Sequence, residues 1–272
     1  MPLSPEEREQ AERFGETYLR YQTPVMRSLE RSVCGCDYGG TSWTTKDEAD
    51  RIAGLLNLRP GLRLLDVGSG SGWPALYWAD KCGCDVMLTD LPFDGLRIAA
   101  ARIKRDKPPG ACWLAVADGA GLPFADGGFE AISHSDVLCC LLDKAGALRS
   151  CRRVLGADGH MVFTVISISP GLSEGDCRLA LEAGPPYVAA ENDYPALLDV
   201  TGWDIVEQID VTANFAETIR RLIQTERRER AAMSTLYDEE TLAERAAGHL
   251  VKLNALEKRL LRREIFKVAA RD

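Results

Sequence analysis

A glycine-rich turn between residues 64 and 76 offers the clearest chemistry in the chain. In LLDVGSGSGWPAL, Gly68, Gly70 and Gly72 alternate with serines after a short apolar run that ends in Asp66. Glycines at such a turn let the backbone approach a phosphate or a nucleoside closely, and the turn opens the following helix. The pattern therefore predicts a ligand of the nucleotide type.

The spacing of these glycines argues against a dinucleotide. The dinucleotide fingerprint, G-x-G-x-x-G, would need its third glycine at position 73, where this chain has Trp73. The spacing from Asp66 to Gly72 is instead D-x-G-x-G-x-G. A nicotinamide-dependent enzyme is accordingly the least favoured interpretation.

Further polar residues follow other apolar runs. Asp90 ends DVMLTD, and an acidic side chain there can accept hydrogen bonds from ribose hydroxyls. Asp118 follows ACWLAVA, whereas His134 and Asp136 lie at the end of FEAISHSD. Because ligands bind outside the carboxyl ends of strands in open α/β sheets, these residues are predicted to face one site.

The elements that must position these residues alternate between helix and strand from residue 45 onward. The segment 169–192, rich in glycine and proline, breaks this rhythm; a sixth strand and a C-terminal seventh follow. The pattern predicts an α/β fold: a Rossmann-like, seven-stranded, mostly parallel sheet with helices on both faces and an added helical cap.

The domain organisation predicted from this pattern has three parts. Residues 1–44 form an N-terminal helical lid segment, and residues 214–262 form a helical hairpin cap. The core comprises residues 45–213 and 263–272, with a lid-like insertion at 169–192.

The ordered series resembles the class I S-adenosylmethionine-dependent methyltransferases, in particular the small-molecule group that includes ubiquinone-type, or type 11-like, enzymes. The resemblance covers about residues 45–213 and includes LPFADGGFEAI and RVLGADGHMVFTVI. It implies S-adenosyl-L-methionine as the cofactor, with Leu91 against the adenine ring and Asp118 at the adenine amino group. The cofactor-binding residues that it implies are Asp66, Gly68, Gly70, Gly72, Trp73, Asp90, Leu91, Asp118, Gly119 and His134.

The catalytic residues predicted on this basis are His134, Asp136 and Tyr38. Methyl transfer by in-line displacement needs positioning above all, and a base where the acceptor must lose a proton. His134 has a side chain suited to a base near pH 7; alternatively, it hydrogen-bonds a backbone carbonyl and shapes the donor pocket.

The stretch CDYGGTSWTT, residues 36–45, is predicted to close the site as a lid. Tyr38, Thr41 and Trp43 would lie in that lid, and Gly39 and Gly40 could act as its hinge. A turn carrying two ordinary core aromatics is an equally good interpretation, and Trp73 has the same ambiguity between lining the donor site and packing in the core.

Composition limits the classes of partner. The net charge of −8, from 41 acidic and 33 basic residues, argues against a nucleic-acid partner. No segment approaches the roughly 20 apolar residues of a membrane span, and the charged N-terminus does not resemble a secretory signal, so a cytoplasmic location is expected. A small-molecule or lipid-like acceptor is expected, and a homodimer is considered.

The nine cysteines are interpreted as reduced thiols. Cys34-x-Cys36 and Cys82-x-Cys84 have one residue between the thiols, whereas the strong zinc signature has two, so no metal site is predicted.

The leading functional prediction is an S-adenosylmethionine-dependent methyltransferase that acts on a small molecule, with an oxygen, nitrogen or carbon acceptor. An RNA or protein methyltransferase, or a non-catalytic S-adenosylmethionine-binding module, remains as the alternative.

Overall fold

Seven strands form one sheet in the computed structural model, which describes residues 4–190 and 193–271. The strands are β1 (Arg63–Val67), β2 (Asp85–Asp90), β3 (Cys112–Val116), β4 (Phe129–Ser135), β5 (Leu155–Ile168), β6 (Trp203–Asp210) and β7 (Leu261–Ala270). Their order in the sheet is β3-β2-β1-β4-β5-β7-β6, and only β7 runs antiparallel to its neighbours. The predicted fold class, a Rossmann-like and mostly parallel seven-stranded sheet, is confirmed.

Helices surround this sheet. They are α1 (Pro5–Tyr21), α2 (Pro24–Cys34), α3 (Lys46–Leu55), α4 (Ala75–Cys82), α5 (Phe93–Asp106), α6 (Lys144–Val154), α7 (Glu174–Ala183), α8 (Tyr194–Val200), α9 (Thr212–Arg228), α10 (Arg230–Met233) and α11 (Glu239–Glu257). Short 3₁₀ turns lie at Gly119–Gly121 and Leu138–Cys140. Both α1 and α3 begin with a capping box, in which a hydroxyl and a glutamate three residues later satisfy each other's backbone N–H groups.

The central strands are buried on both faces, and successive side chains of a strand point to opposite sides of the sheet. Leu64, with 0% of its surface exposed, packs in the core formed with α2 to α5. Its neighbour Leu65, also at 0%, packs in the core formed with α6, α7 and α8. With both faces covered, the carboxyl ends of the parallel strands are left as the place where a ligand can enter.

Helices outside the alternating core pack on one another and on the sheet. In the predicted insertion at 169–192, α7 packs against α11 and β5; residues 191 and 192 lie outside the described residues. In the predicted cap at 214–262, α9 packs against both α2 and α11. The three-part division itself stays a prediction, and its residues 1–3 and 272 also lie outside the described part. No helix within 4–190 or 193–271 is both long enough and apolar enough to cross a bilayer.

Candidate functional site

The glycine turn after β1 has a backbone that side chains would not permit. Gly68, Gly70 and Gly72 have φ values of +70°, +52° and +100°, in the region that favours glycine. A Cβ built on Gly68 would lie 2.5 Å from a methyl group of Val137, and one on Gly70 would lie 2.8 Å from the Tyr18 hydroxyl. The turn is therefore fixed both by its own dihedrals and by the groups that close around it.

The carboxylate of Asp90 faces this turn from the end of β2. One oxygen accepts a hydrogen bond from the Gly70 N–H at 2.7 Å, and the other accepts one from the Leu91 N–H at 2.8 Å. The Tyr18 hydroxyl donates to the same carboxylate at 3.4 Å. Burial raises the pKa of Asp90 to about 6, against the hydrogen bonds that lower it. The carboxylate is thus held in one orientation beside the glycines.

A cavity of about 270 Å³ lies along the carboxyl ends of β1, β2 and β4. A single water needs roughly 10–15 Å³ of such space, so this cavity is large enough for an organic ligand. The predicted site residues that line it are Gly68, Gly70, Trp73, Asp90, Leu91, Asp118 and Asp136. One carboxyl oxygen of Asp118 accepts from the Ala120 N–H at 2.9 Å, which fixes its orientation.

Three predicted donor-site residues lie behind the cavity wall instead. Asp66 is 2% exposed, and burial raises the pKa of its carboxyl well above the usual range. A Cβ on Gly72 would lie 2.5 Å from Leu76, and one on Gly119 would lie 3.3 Å from Val67. These residues shape the turns that carry the lining residues.

The position of His134 differs from its prediction. The imidazole is 2% exposed, does not line the cavity, and stacks on Phe163 with ring centroids 4.6 Å apart. Neither ring nitrogen has a hydrogen-bond partner among the described residues, and burial lowers the pKa of His134 to about 3. The alternation of side chains along β4 turns His134 into the core, so we assign it neither a base role nor a donor contact.

Only some residues of the predicted lid segment line the cavity. Tyr38 does not line the cavity: its ring packs against Trp73 at 5.2 Å, and the Arg102 guanidinium lies 4.0 Å from its centroid. Thr41 and Trp43 do line the cavity. The cation and the indole hold Tyr38 in a neighbouring cleft, so it is not assigned a catalytic role.

Asp136 lines the cavity as the partner of a buried cation. Its φ is +57°, and its carboxylate accepts hydrogen bonds from Nε of Arg263 at 3.0 Å and from Nη2 at 3.0 Å. Nη1 of the same guanidinium, which is 0% exposed, donates to Glu48 at 2.9 Å. Since both oxygens of Asp136 already accept from Arg263, the structure presents Asp136 as a fixed element of the wall.

Helix α1 supplies lining residues that the sequence prediction missed. They are Glu7, Gln10, Ala11, Phe14 and Tyr18. The Gln10 side chain donates to the carbonyl of Cys140 at 2.9 Å and so joins α1 to the turn after β4. The spacing of three and four residues places the set on one helical face, which is the sequence signal that could have revealed it.

The cysteines form no metal centre in the described part of the chain. Within 4–190 and 193–271, no three His, Cys, Asp or Glu side chains converge as ligands. Burial raises the pKa of Cys34 and that of Cys84 each to about 12, so both are protonated thiols at neutral pH.

Comparisons with known proteins match this chain to methyltransferases. Residues 65–163 match a family model described as a methyltransferase domain. The methyltransferase GfsG of Streptomyces halstedii is 27% identical over 170 residues, covering 60% of each chain. The 27-O-demethylrifamycin SV methyltransferase of Amycolatopsis mediterranei is 31% identical over 170 residues, covering 60% of this chain and 61% of that one. The chain thus aligns with about three fifths of the length of these curated relatives.

A solved structure shows the same fold. Phosphoethanolamine N-methyltransferase 2 of Haemonchus contortus, in complex with phosphomonomethylethanolamine and S-adenosylhomocysteine, superposes with a TM-score of 0.77. The sequence identity is 19%, and the superposition covers 100% of this chain and 61% of that one. At this identity, the likeness concerns the fold alone.

Replacing Arg263 should destabilise the protein strongly. Arg263→Met leaves the carboxylates of Asp136 and Glu48 buried without their cation, which typically costs about 3–5 kcal/mol. Urea denaturation would measure this loss in the free energy of unfolding. Arg259→Met is the control, because the Arg259 side chain is 77% exposed and the expected change is within about 0.5 kcal/mol. A loss below about 1 kcal/mol in Arg263→Met would contradict the importance of the cluster.

The buried histidine should make stability fall with acidification. The pKa of His134 is about 3 in the folded protein and roughly 6.5 when unfolded, so the unfolded chain takes up this proton first. The stability it contributes above pH 6.5 is lost as pH falls towards 3, at about 1.4 kcal/mol per pH unit. Between pH 7 and 5, the parent protein should lose about 2 kcal/mol more than His134→Phe.

Denaturant unfolding at the two pH values would check this difference. His160→Phe, at a partly exposed histidine, is the control and should keep most of the parent's pH dependence. Equal losses in the parent and in His134→Phe would show that His134 is not buried in its neutral form.

Proposed function

We propose that this protein transfers a methyl group from S-adenosylmethionine to a small-molecule acceptor. The reason is that the chain belongs to the class I S-adenosylmethionine-dependent methyltransferases. The family predicted from the sequence is confirmed by the matched methyltransferase domain. The observation that carries the proposal is the constrained glycine turn with the carboxylate of Asp90 hydrogen-bonded to it, both of which line a ligand-sized cavity.

The residues around the cavity fit the donor. Gly68 and Gly70 leave no room for a side chain, so the backbone itself can meet the ligand. Asp90 would accept hydrogen bonds from the ribose hydroxyls, Leu91 would pack on adenine, and Asp118 would accept from the adenine amino group. These assignments rest on the lining positions and on the family pattern together.

The chain's own contribution is alignment and exclusion of water. S-adenosylmethionine, when bound, supplies a methyl group that its sulfonium has already activated. Positioning of reacting groups can supply roughly 7–11 kcal/mol of the barrier. The aromatic side chains of Phe14 and Tyr18 of α1 line the cavity, as does that of Trp43. We assign Asp136 the role of a fixed wall group and name no general base.

A small molecule is the acceptor class that the lining favours. Besides the proposed donor residues, the cavity lining includes the apolar residues Val137, Leu141, Leu142, Ile166 and Pro185. Small-molecule sites are mostly apolar with a few placed polar groups. The name of the Amycolatopsis relative points to a small-molecule acceptor as well. The lipid-like acceptor, the cytoplasmic location and the homodimer stay predictions, and the accepting atom is not assigned.

A labelling experiment tests the function. Purified protein and methyl-labelled S-adenosylmethionine would be incubated separately with small-molecule, lipid, RNA and protein fractions of the source cell. Label in the small-molecule or lipid fraction is expected. Label in RNA or protein would replace the proposed acceptor class, and donor binding without any transfer would favour a non-catalytic binding module.

Asp90 should be needed for donor affinity. Asp90→Asn removes the charge that would accept from the ribose, and hydrogen bonds to charged groups contribute enough that affinity should fall about 10- to 100-fold. Isothermal titration with S-adenosylhomocysteine would measure this change. Asp85→Asn is the matched control at the opposite end of β2, and its affinity should stay within about twofold of the parent value. Equal affinities in both variants would remove Asp90 from the donor site.

A further inference from the structure

We propose that Lys252 determines acceptor specificity by binding an acidic oxygen, that of a carboxylate, phenol or enol, on a molecule whose remainder is apolar. This inference rests on the proposed function, because it concerns the acceptor that shares the cavity with the donor. Lys252 lies on α11, in the helical cap, and not in the α/β core that carries the donor residues.

The charged residues that line the cavity are mostly acidic, and they differ in whether each has a partner. The charged lining residues are Glu7, Asp90, Asp118, Asp136 and Lys252. Asp136 is paired with Arg263, and Glu7 closes the capping box of α1 by accepting from the Ser4 N–H at 2.8 Å. Asp90 and Asp118 are the proposed donor contacts. Lys252 is therefore the one cation in the lining of the described chain, and none of the other lining groups pairs with it.

The ammonium group of Lys252 has N–H donors that make no hydrogen bond within the described residues. Its Nζ donates to the carbonyl of Ala183, the last residue of α7, at 2.7 Å. Within 4–190 and 193–271 this is the one hydrogen bond that Lys252 makes through Nζ, whereas an ammonium can donate three. Burial lowers the pKa of Lys252. A partly buried cation with one neutral partner is under-satisfied, and an anionic oxygen on a ligand would give it a counterion.

The surroundings define the rest of the ligand. Pro185 and Ile166 line the same cavity, as do Leu141 and Leu142, so the body of the acceptor meets mainly hydrocarbon. A phosphate ester would bring about two negative charges into a lining that has four carboxylates and this one ammonium. A single acidic oxygen matches the charge of the site better, and we commit to that class.

A matched pair of probes tests the inference. Isothermal titration would compare 2-naphthoate with its neutral counterpart 2-naphthamide, each added to protein saturated with S-adenosylhomocysteine. The parent protein should bind the carboxylate about tenfold or more tightly than the amide. Lys252→Met should abolish this preference with little effect on the amide, and Lys252→Arg should restore most of it.

The control variant is Lys258→Met, which removes an exposed lysine next to the end of the same helix and should leave the preference unchanged. Thermal melting of each variant would show that it is folded. Equal affinity for the two probes, no measurable binding of either, or a preference that survives Lys252→Met would overturn the inference. Tighter binding of 2-naphthyl phosphate than of 2-naphthoate would overturn the acceptor class.

The titrations and the labelling experiment together separate this inference from the proposed function. If the parent protein did not bind S-adenosylhomocysteine, or if no fraction became labelled, the proposed function would be contradicted. Donor binding and transfer without a carboxylate preference would contradict only the role of Lys252.

Discussion

The buried guanidinium of Arg263 is the interaction on which the walls of the cavity depend. Arg263 comes from β7, and its N–H groups reach Asp136 after β4 and Glu48 in α3. It also donates to the Thr44 hydroxyl at 3.3 Å, and the Thr44 carbonyl accepts from the Trp73 indole at 2.8 Å. A charge this deep is tolerated only while it is paired, so the sheet, the glycine turn and the segment before α3 are held to one arrangement.

The convergence of Gly68, Gly70, Asp90 and Asp118 on one cavity could be predicted from the sequence because the signals are local. The glycine turn, Asp90 and Asp118 each follow their own strand within a few residues, and a parallel sheet brings such strand ends together without further information. His134 shows the limit of this reasoning. Its place at the end of β4 was evident, but the face it occupies depends on the parity of the strand, which sets it against Phe163.

The contributions of α1 and α11 to the cavity could not be predicted in the same way, because both helices pack onto it from distant parts of the chain. Tyr18 precedes Asp90 by 72 residues, and only the docking of α1 brings the two together. Lys252 lies on α11 near the buried residues Ala255 and Leu256, although lysines are ordinarily exposed to solvent. Since the proposed donor residues follow the strands whereas Lys252 lies on α11, likeness in the sheet alone leaves the acceptor undefined.

The placement of β7 between β5 and β6 has a consequence for how the molecule assembles. Arg263 meets Glu48 across 215 residues of chain and Thr44 across 219. Contacts between residues this far apart in the sequence form slowly, because the entropy cost of closing a long loop comes before any stabilising contact is made. In a folding intermediate in which β1 to β4 had already paired, the glycine turn would be formed. Asp136 and Glu48 would still lack Arg263 as their counterion. Completion of the cavity wall therefore depends on the insertion of β7 between β5 and β6, which brings Arg263 to Asp136 and Glu48.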